Sequence, residues 1–575
     1  MAKKQKTPSL QTILKQYEKG YNFNQQIGLY DTVKVNENFF IGNQWEGVEA
    51  GGLPTPTFNI FKRIINFQVA TITSDNMAIR AKPLPSTSSY TEEQLEAVGA
   101  IVSDQFAAIM ARNKIVAKNR EFLRNAAVTG DGCMHFYFDP TIDNGQLVKG
   151  EISAEVIDNL RVMFGNPNSR DVQKQPYIII PQRLLVEDVR YEAEQLKKVG
   201  MCGIDDPESI TPDSEKFQND YDSYTDDKVT VITYYYRDRE TRHIWCCRAT
   251  EKGILREAYD TELTLYPLIW INWDYIRDCY HGQAMVTGLL PNQKFINKMF
   301  ALVSISMLTT SFPKVIYDKT RIQSWDGSVG SAVGVNGNVD NVAKIIEGAS
   351  VSPQISQFIE LALDKTHSLL GASDVAMGDS RPDNTSAIVA LQRAANTPME
   401  MVKQADYQAM EDAARIWLDM MSVRYNVRKV QTTMQMGKPG EQPLGMRLPE
   451  QTFMRDFDFS ILRDLRFSLE MDAGASSYWS EMASMQTLDN LFMNKVISPK
   501  QYIERLPSGY VVRRAELLAD FDAQQMGMAG ATANSGTPGF EGEGVVPDPN
   551  ASESIEVHGG SGNGPLQRAL NKEGV

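Results

Sequence analysis

The 575-residue chain is poor in cysteine and histidine, with five of each. Five cysteines in so long a chain do not form a disulfide framework; they read as reduced, cytosolic-type thiols. The histidines, His135, His243, His281, His367 and His558, fall in no H-E-x-x-H or H-x-E spacing, so motif-borne metal chemistry has no foothold. Long hydrophobic runs are absent too. The longest uncharged apolar stretch, Met299–Pro313, has 15 residues, short of the roughly 20 a spanning helix needs. The opening MAKKQKTPSLQ passes from basic to polar without an apolar segment, so no signal peptide is expected. A basic surplus is also missing: 58 Lys and Arg face 72 Asp and Glu, for a net charge of −14 and a pI near 5.1. That excludes a general phosphate-gripping surface. Nucleic acid handled by a local patch, or passing without being held, is still compatible. The class expected is a soluble intracellular protein.

What is present is ordinary globular material. Hydrophobic residues make up 42% and charged residues 23%, which excludes a wholly disordered, collagen-like or coiled-coil chain. The length allows a large core and about four domains. Residues 9–85 read as helices with loops. The segment DTVKVNENFFIGNQW ends on Phe39, Phe40 and Trp45, and a loop with Gly51, Gly52, Pro54 and Pro56 follows. After Asn59, the residues Ile60, Phe61, Ile64, Ile65 and Val69 share one helical face. Residues 91–128 read as a long amphipathic helix or helix pair, striped by Leu95, Val98, Val102, Phe106 and Ile109. Thr91 and Gln94 form a capping box at its start. Strands are expected over Gly132–Asp139 and over Tyr177–Ile180, between two prolines. A meander follows over Val229–Arg237, His243–Arg248 and Gly253–Tyr259. Met201–Lys228 reads as a surface loop. The order of helices and then an antiparallel sheet is that of an α+β fold.

The middle of the chain changes character. Pro291–Thr310 reads as a helix of 20 residues, about 30 Å long, with Pro291 in its first turn. A second helix spans Ser352–Leu370, with Ser352 as cap, Pro353 at the first position and Gly371 beyond the end. Between them, Ser311–Val351 holds the strand PKVIYD, a Gly-rich run and VAKII. A breaker-rich segment over 371–386 leads to a helical pattern from Ala387 to Tyr425, kinked at Pro398. A Gly/Pro loop over 437–450, one or two strands over Phe457–Met471 and helices over Tyr478–Asp522 follow, with Ser498-Pro499 opening a new helix. Residues 526–575 are too poor in large apolar side chains to fold alone and are expected to be disordered.

Candidate chemistry is thin. The run Gly327–Gly337 lacks the Lys-Ser/Thr that a phosphate-binding loop requires, and no G-x-S-x-G elbow occurs. The best metal candidate is His243, Cys246, Cys247, Cys279 and His281. Adjacent Cys246 and Cys247 on a strand would point to opposite faces, however, which is wrong for tetrahedral zinc; small fillers in a sheet are the plainer reading. Asp205-Asp206 and Asp226-Asp227 read as a solvated surface. Asp456 and Asp458, alternating with Phe457 and Phe459, read as the wet face of a strand. Lys294 and Lys298 lie one helical turn apart. They are either a solvated face or a sparse basic ring lining a pore.

Three organisational features in order resemble the portal proteins, or head-to-tail connectors, of tailed bacteriophages, those of short-tailed phages in particular. The first is N-E-N-F-F-I-G-N-Q-W followed by a Pro loop and the Asn59 helix. The second is the sequence helix, β-containing insert, helix, breaker loop, long kinked helix. The third is S-Y-W-S-E-M-A-S-M-Q-T-L-D-N-L-F-M-N-K-V-I-S-P-K-Q-Y-I-E-R-L-P. The resemblance covers about residues 20–525. It implies an α+β ring subunit with a wing over 1–281, joined by the strands near 457–471, and stem helices over 282–310 and 352–370. It further implies a clip over 311–351, a tunnel loop over 371–386, and a long helix, returning strands and crown over 387–525. Residues 526–575 would be a disordered tail.

By the same resemblance, the chain is a structural protein without catalytic turnover or cofactor. It forms a homo-oligomeric ring, usually of twelve, at one capsid vertex of the virion, after assembly in the host cytoplasm. Double-stranded DNA is packaged and ejected through the ring. Partners implied are the large terminase subunit, the major capsid protein, scaffold, and a head-completion or tail adaptor protein; no membrane is involved. Channel- or DNA-facing candidates are Lys294, Lys298, Asp379, Arg381 and Asp383. Clip contact candidates are Lys314, Lys319, Arg321 and Trp325. Residues 283–370 carry seven Lys/Arg and six Asp/Glu, so this part would grip sliding DNA weakly. Two other readings stand beside it: a metal-dependent nuclease or hydrolase, and another virion structural protein such as a tail adaptor or ejection protein.

Overall fold

A computed structural model describes residues 8–506 except 75, 85–89, 214–226, 312–313, 323, 327, 329–331, 347–352, 370–398, 436–449, 475–484, 486–487 and 495. The expected tunnel loop, the Pro398 kink, residues 437–449 of the expected 437–450 loop and the 526–575 tail lie outside these residues. The chain divides into two units, residues 1–481 and 482–575.

The first unit opens with three helices, α1 (Leu10–Gln26), α2 (Leu29–Ile41) and α3 (Ile60–Ile72). Gly28 at φ 68° separates the first two, and Gly42 at φ 102° ends the second. Both angles lie in the left-handed region that favours glycine. Asn59 caps α3, its side chain accepting from the Lys62 N–H at 3.2 Å, and Phe61, Ile64, Ile65 and Val69 are buried as their spacing implies. Strand β1 (Asn76–Pro83) follows, then α4 (Glu92–Arg112) and α5 (Ile115–Thr129). The region 91–128 is thus a helix pair, and the Thr91/Gln94 capping box is formed.

Two antiparallel sheets come next. Strands β2 (Asp131–Asp139), β3 (Glu151–Ile157), β4 (Met163–Phe164) and β5 (Tyr177–Leu185) precede α6 (Val186–Lys198). Strands β6 (Lys228–Arg237), β7 (Ile244–Ala249), β8 (Ile254–Asp260) and β9 (Leu268–Asn272) follow. They assemble as β3-β2-β9 and β4-β5-β6-β7-β8. The expected meander is β6-β7-β8. Strand β5 runs through Pro181 instead of stopping at it. Its neighbour β4 pairs only with Ile178 and Ile179, so beyond them β5 has a free edge, where a proline is tolerated.

Helix α7 (Met285–Ser311) starts six residues before Pro291, which therefore sits inside the helix and not in its first turn. Packing overrides the break signal: Val286 is fully buried, and Met285, Leu289 and Leu290 lie against the core. A hairpin of β10 (Lys314–Tyr317) and β11 (Ala343–Ile346) leads to α8 (Pro353–Leu369). Helix α9 (Glu400–Arg424) runs through the core, with Trp417 wedged between Phe106 and Phe136 at centroid distances of 6.0 and 5.6 Å. Strands β12 (Val427–Gln435) and β13 (Glu450–Asp458) form a two-stranded sheet. Asp456 and Asp458 are exposed and Phe457 half-buried, as alternation implied. Strand β14 (Phe467–Gly474) returns to pair with β1.

The five-stranded sheet is covered on both faces. Cys246 belongs to the main core, while Cys247 packs with Ile13 and Tyr17 of α1. A polar network ties the segment after α9 to β3 and α4: Glu151 accepts from Arg112, Arg428 and the Tyr425 hydroxyl at 2.7, 2.8 and 2.8 Å. Burial pushes its carboxyl up, but Arg112, Asn144, Arg428 and Tyr425 together hold it below the usual range. In the second unit, helix α10 (Pro499–Arg505) starts with a Ser498/Gln501 capping box, and Tyr502 packs on Phe492 at 4.8 Å.

Among the described residues, the buried carboxylate of Asp406 has no cation beside it. Asp406 on α9 is fully buried and, among the described residues, accepts only from Asn119 Nδ2, at 3.0 Å. Burial pushes its pKa up to about 7, above the ordinary 3.8. The folded state therefore binds the proton more tightly than the unfolded chain, and this group's contribution to stability falls as pH rises from about 4 to about 7. Asp406→Asn keeps an acceptor for Asn119 and removes the charge. Its melting temperature relative to wild type is expected to climb between pH 5 and pH 8; a pH-independent difference in thermal scans would show that Asp406 does not titrate there.

Candidate functional site

The two helices α7 and α8 with the hairpin between them form the part of the chain that the sequence singles out. Helix α7, at 27 residues, is about 40 Å long. Its first half is clamped to the N-terminal layer by side-chain amides. Asn36 Nδ2 donates to the Val128 carbonyl and to Thr287 Oγ1, both at 2.9 Å. Gln293 Nε2 donates to the Phe58 carbonyl at 2.6 Å and to Asn297 Oδ1 at 2.9 Å. Asn297 Nδ2 donates to Gln44 Oε1 at 2.6 Å, and Gln44 Nε2 donates to the Phe39 carbonyl at 3.0 Å. Trp45 Nε1 donates to the Pro56 carbonyl at 3.0 Å, and Asn59 Nδ2 to the Phe40 carbonyl at 2.8 Å. Phe58 closes on Phe300 at 4.0 Å. The segment F-F-I-G-N-Q-W thus folds its own loop and holds α7 by a chain of buried amides. Sequence reading notices the segment but not Gln293 and Asn297, which carry no signal beyond being polar residues one turn apart on an apolar helix.

Beyond Phe300 the clamp ends and apolar side chains are exposed: Leu302 and Met307 at 61% each, and Leu308 at 47%. Helix α8 packs on α7 through Phe295 and Phe358, whose rings meet edge-on at 5.9 Å. Ile359 and Thr366 are buried, whereas Phe358 and Leu361 are about half-exposed. The described residues contain no helix long and apolar enough to cross a membrane, so these faces are not explained as a span.

In the hairpin, Lys314 lies opposite Ile346 in the register. The turn after β10 is held by the Asp318 carboxylate, which accepts from the Thr320 hydroxyl and N–H at 2.6 and 2.9 Å. Those hydrogen bonds, with Arg321 nearby, hold the Asp318 carboxyl below its ordinary value. Arg321 reaches Asp318 at 3.5 Å, and Lys319 is exposed. Trp325 is 40% exposed and stacks on Tyr317 at 5.6 Å. Ile322 and Val342 are buried, and the Asp318 N–H donates to the Val342 carbonyl at 2.9 Å. Lys319, Arg321 and Trp325 are therefore gathered in one loop.

Lys294 and Lys298 are exposed on α7. They border a groove of about 320 Å³ with Val35, Phe39, Trp45 and Val48, and the Lys294 ammonium lies 5.5 Å from the Phe39 ring centre. Asp379, Arg381 and Asp383 lie outside the described residues. The zinc candidates are not brought together. His281 Nδ1 bonds Asp131 at 2.6 Å, His243 Nδ1 bonds Asp260 at 2.9 Å, and the two cysteines face opposite sides of the sheet. Burial pushes the Cys279 thiol up, away from metal-binding thiolate character. Among the described residues, no three His, Cys, Asp or Glu converge on a metal-sized site.

Gln44→Ala would leave the buried Asn297 Nδ2 without its acceptor, at a cost of about 1–3 kcal/mol. A lowered unfolding midpoint is expected in denaturant titration, and an unchanged midpoint would show that the amide chain does not hold α7.

The family model described as phage P22-like portal protein matches residues 14–477. The match takes in the N-terminal clamp, both sheets, α7, the hairpin, α8 and α9. No curated protein matches the chain. With an α+β fold, the helix–hairpin–helix arrangement and this match, the chain belongs to the phage P22-like portal proteins, structural proteins of the phage head-to-tail connector.

Proposed function

We propose that this chain closes into a ring, with twelve subunits the number to be tested, at one vertex of the phage capsid. Double-stranded DNA is packaged and later ejected through its channel. The observation that carries this reading is the apolar surface of α7 and α8 beyond the clamp, where Leu302, Met307, Leu308, Phe358 and Leu361 are uncovered in a single subunit. Copies repeated head to tail around an axis cover such faces without leaving a free end.

Within this ring, α7 and α8 form the stem and the β10–β11 hairpin forms the clip. Lys314, Lys319, Arg321 and Trp325 offer the clip's contacts, first to the large terminase subunit and then to a head-completion or tail adaptor protein. A half-exposed tryptophan beside arginine is the kind of anchor that dominates protein interfaces. The two-sheet wing meets the major capsid protein, and scaffold during assembly in the host cytoplasm. Residues 371–386, with Asp379, Arg381 and Asp383, face the DNA. The net charge of −14 keeps the counterion-release grip on sliding phosphates weak. The work of packaging comes from the terminase, and the ring itself turns over no substrate.

Light scattering with negative-stain microscopy on the purified protein is expected to give rings near twelve times 64.4 kDa with a central channel. A protein that remains a 64.4 kDa monomer at high concentration would count against the ring. Deleting residues 377–384 is expected to leave rings intact while impairing genome packaging or retention; normal DNA-filled particles from that deletion would remove the tunnel-loop assignment.

A further inference from the structure

The contact between neighbouring subunits can be placed on named residues, and this rests on the ring reading above. Lys294 and Lys298 stand one turn apart on the exposed face of α7, and neither forms an ion pair among the described residues. Like charges at this spacing mildly disfavour the helix that carries them. Glu360 and Asp364 stand at the same spacing on the exposed face of α8, likewise without an ion pair among the described residues. Each pair has an apolar companion. The lysines border the groove floored by Val35, Trp45 and Val48. Between the carboxylates, Leu361 is 51% exposed. The two pairs are opposite in charge and equal in spacing, and each has apolar side chains beside it, although Glu46 also lines the lysine groove and Lys365 follows Asp364 on α8.

They do not meet within one subunit. The Phe295–Phe358 contact fixes the internal register of the two helices. The α8 residue that turns inward beside it is Ile359, buried to 8%, and Glu360 and Asp364 are left exposed. A surface on α7 that matches a different surface on α8 of a second copy is a heterologous contact, the type that generates rings.

We propose that α8 of one subunit lies antiparallel along α7 of the next, with Asp364 against Lys294, Glu360 against Lys298 and Leu361 entering the groove over Trp45. Inside the subunit Phe295 faces Phe358, so Lys294 is level with residue 359. The proposed pairing sets Lys294 level with Asp364, an offset of five residues, or about 7.5 Å along the helix. In a ring with subunits at one height, this offset requires stem helices inclined to the ring axis. The pairing assigns Lys294 and Lys298 to the subunit boundary, not to DNA.

The test uses charge reversal on the full chain at low salt, where exposed pairs are least screened. Lys294→Glu with Lys298→Glu, and separately Glu360→Lys with Asp364→Lys, are each expected to raise the concentration needed for assembly by at least tenfold in light scattering. Circular dichroism should remain that of the folded protein. Combining all four substitutions in one chain restores opposite charges across the boundary, and rings are expected to return. Mixing the two double variants is also expected to form rings, because every boundary in an alternating ring is then complementary. Wild-type-like assembly of both double variants, or a folded quadruple variant that fails to assemble, would overturn the pairing. Failure of the wild-type chain to form rings would instead overturn the ring reading on which the pairing rests.

Discussion

One buried carboxylate organises the junction that leads into α7. Asp131, at the first position of β2, is fully buried and has both oxygens occupied. Oδ1 accepts from Asn272 Nδ2 at 2.7 Å and from the Gly282 N–H at 2.6 Å; Oδ2 accepts from His281 Nδ1 at 2.6 Å and Asn159 Nδ2 at 3.1 Å. His281 Nε2 in turn lies 3.1 Å from Asn24 Oδ1 on α1. One side chain thus joins β2, β9, the turn after β3, helix α1 and the segment that leads into α7. A buried carboxylate with four donors is tolerated, whereas the same group short of them would be expensive. The backbone approach is equally demanding. A side chain on Gly130, whose φ is +106°, would stand 2.6 Å from the Gly282 carbonyl. Only glycine fits at this crossing.

From that junction the first unit divides into a part tied by buried polar networks and a part that leaves apolar side chains uncovered. Buried polar side chains gather into networks around Asp131, around Glu151 and through the Gln44–Asn297–Gln293 chain. Among the described residues, no such network reaches the far end of α7 or the outer face of α8, and both carry apolar side chains into solvent. The clamp explains how both can exist in one helix. Buried amides on the first half of α7 fix its direction, so the second half can stay extended without covering its own apolar face. A subunit whose exposed apolar surface is held on a rigid base is prepared for assembly at little further entropic cost.

Much of the local architecture was legible in the sequence because its cause is local. The Thr91/Gln94 box, the Ser498-Pro499 start and the striped helices form as their spacing implies. The β6–β7–β8 meander and the wet face of Asp456 and Asp458 do so as well. The readings that miss do so for non-local reasons. Strand β1 falls in a stretch that reads as helices with loops, although Met77, Ile79 and Ala81 alternate with exposed neighbours. Its partner β14 begins nearly four hundred positions later, and a lone strand reveals little without its mate. Strand β12 escapes notice beside the end of a long helix for the same reason. Pro181 and Pro291 read as boundaries, yet a free sheet edge tolerates the first and core packing carries α7 through the second.

By itself, the sequence determined the class of the chain and the order of its parts. Its charge excluded a phosphate-gripping surface, and its short apolar runs excluded a spanning helix over those stretches. Its punctuation placed helix, hairpin and helix in succession, because caps, periods and breakers act over a few residues. Tertiary structure alone decided what those parts touch. Gln44 and Asn297 are 253 positions apart, and no local pattern pairs them. Which way Lys294 and Lys298 point depends on where α2 and the Trp45 loop settle against α7. Side-chain direction on a helix is set by the neighbour that buries the opposite face, and that neighbour is chosen only when the whole chain has packed.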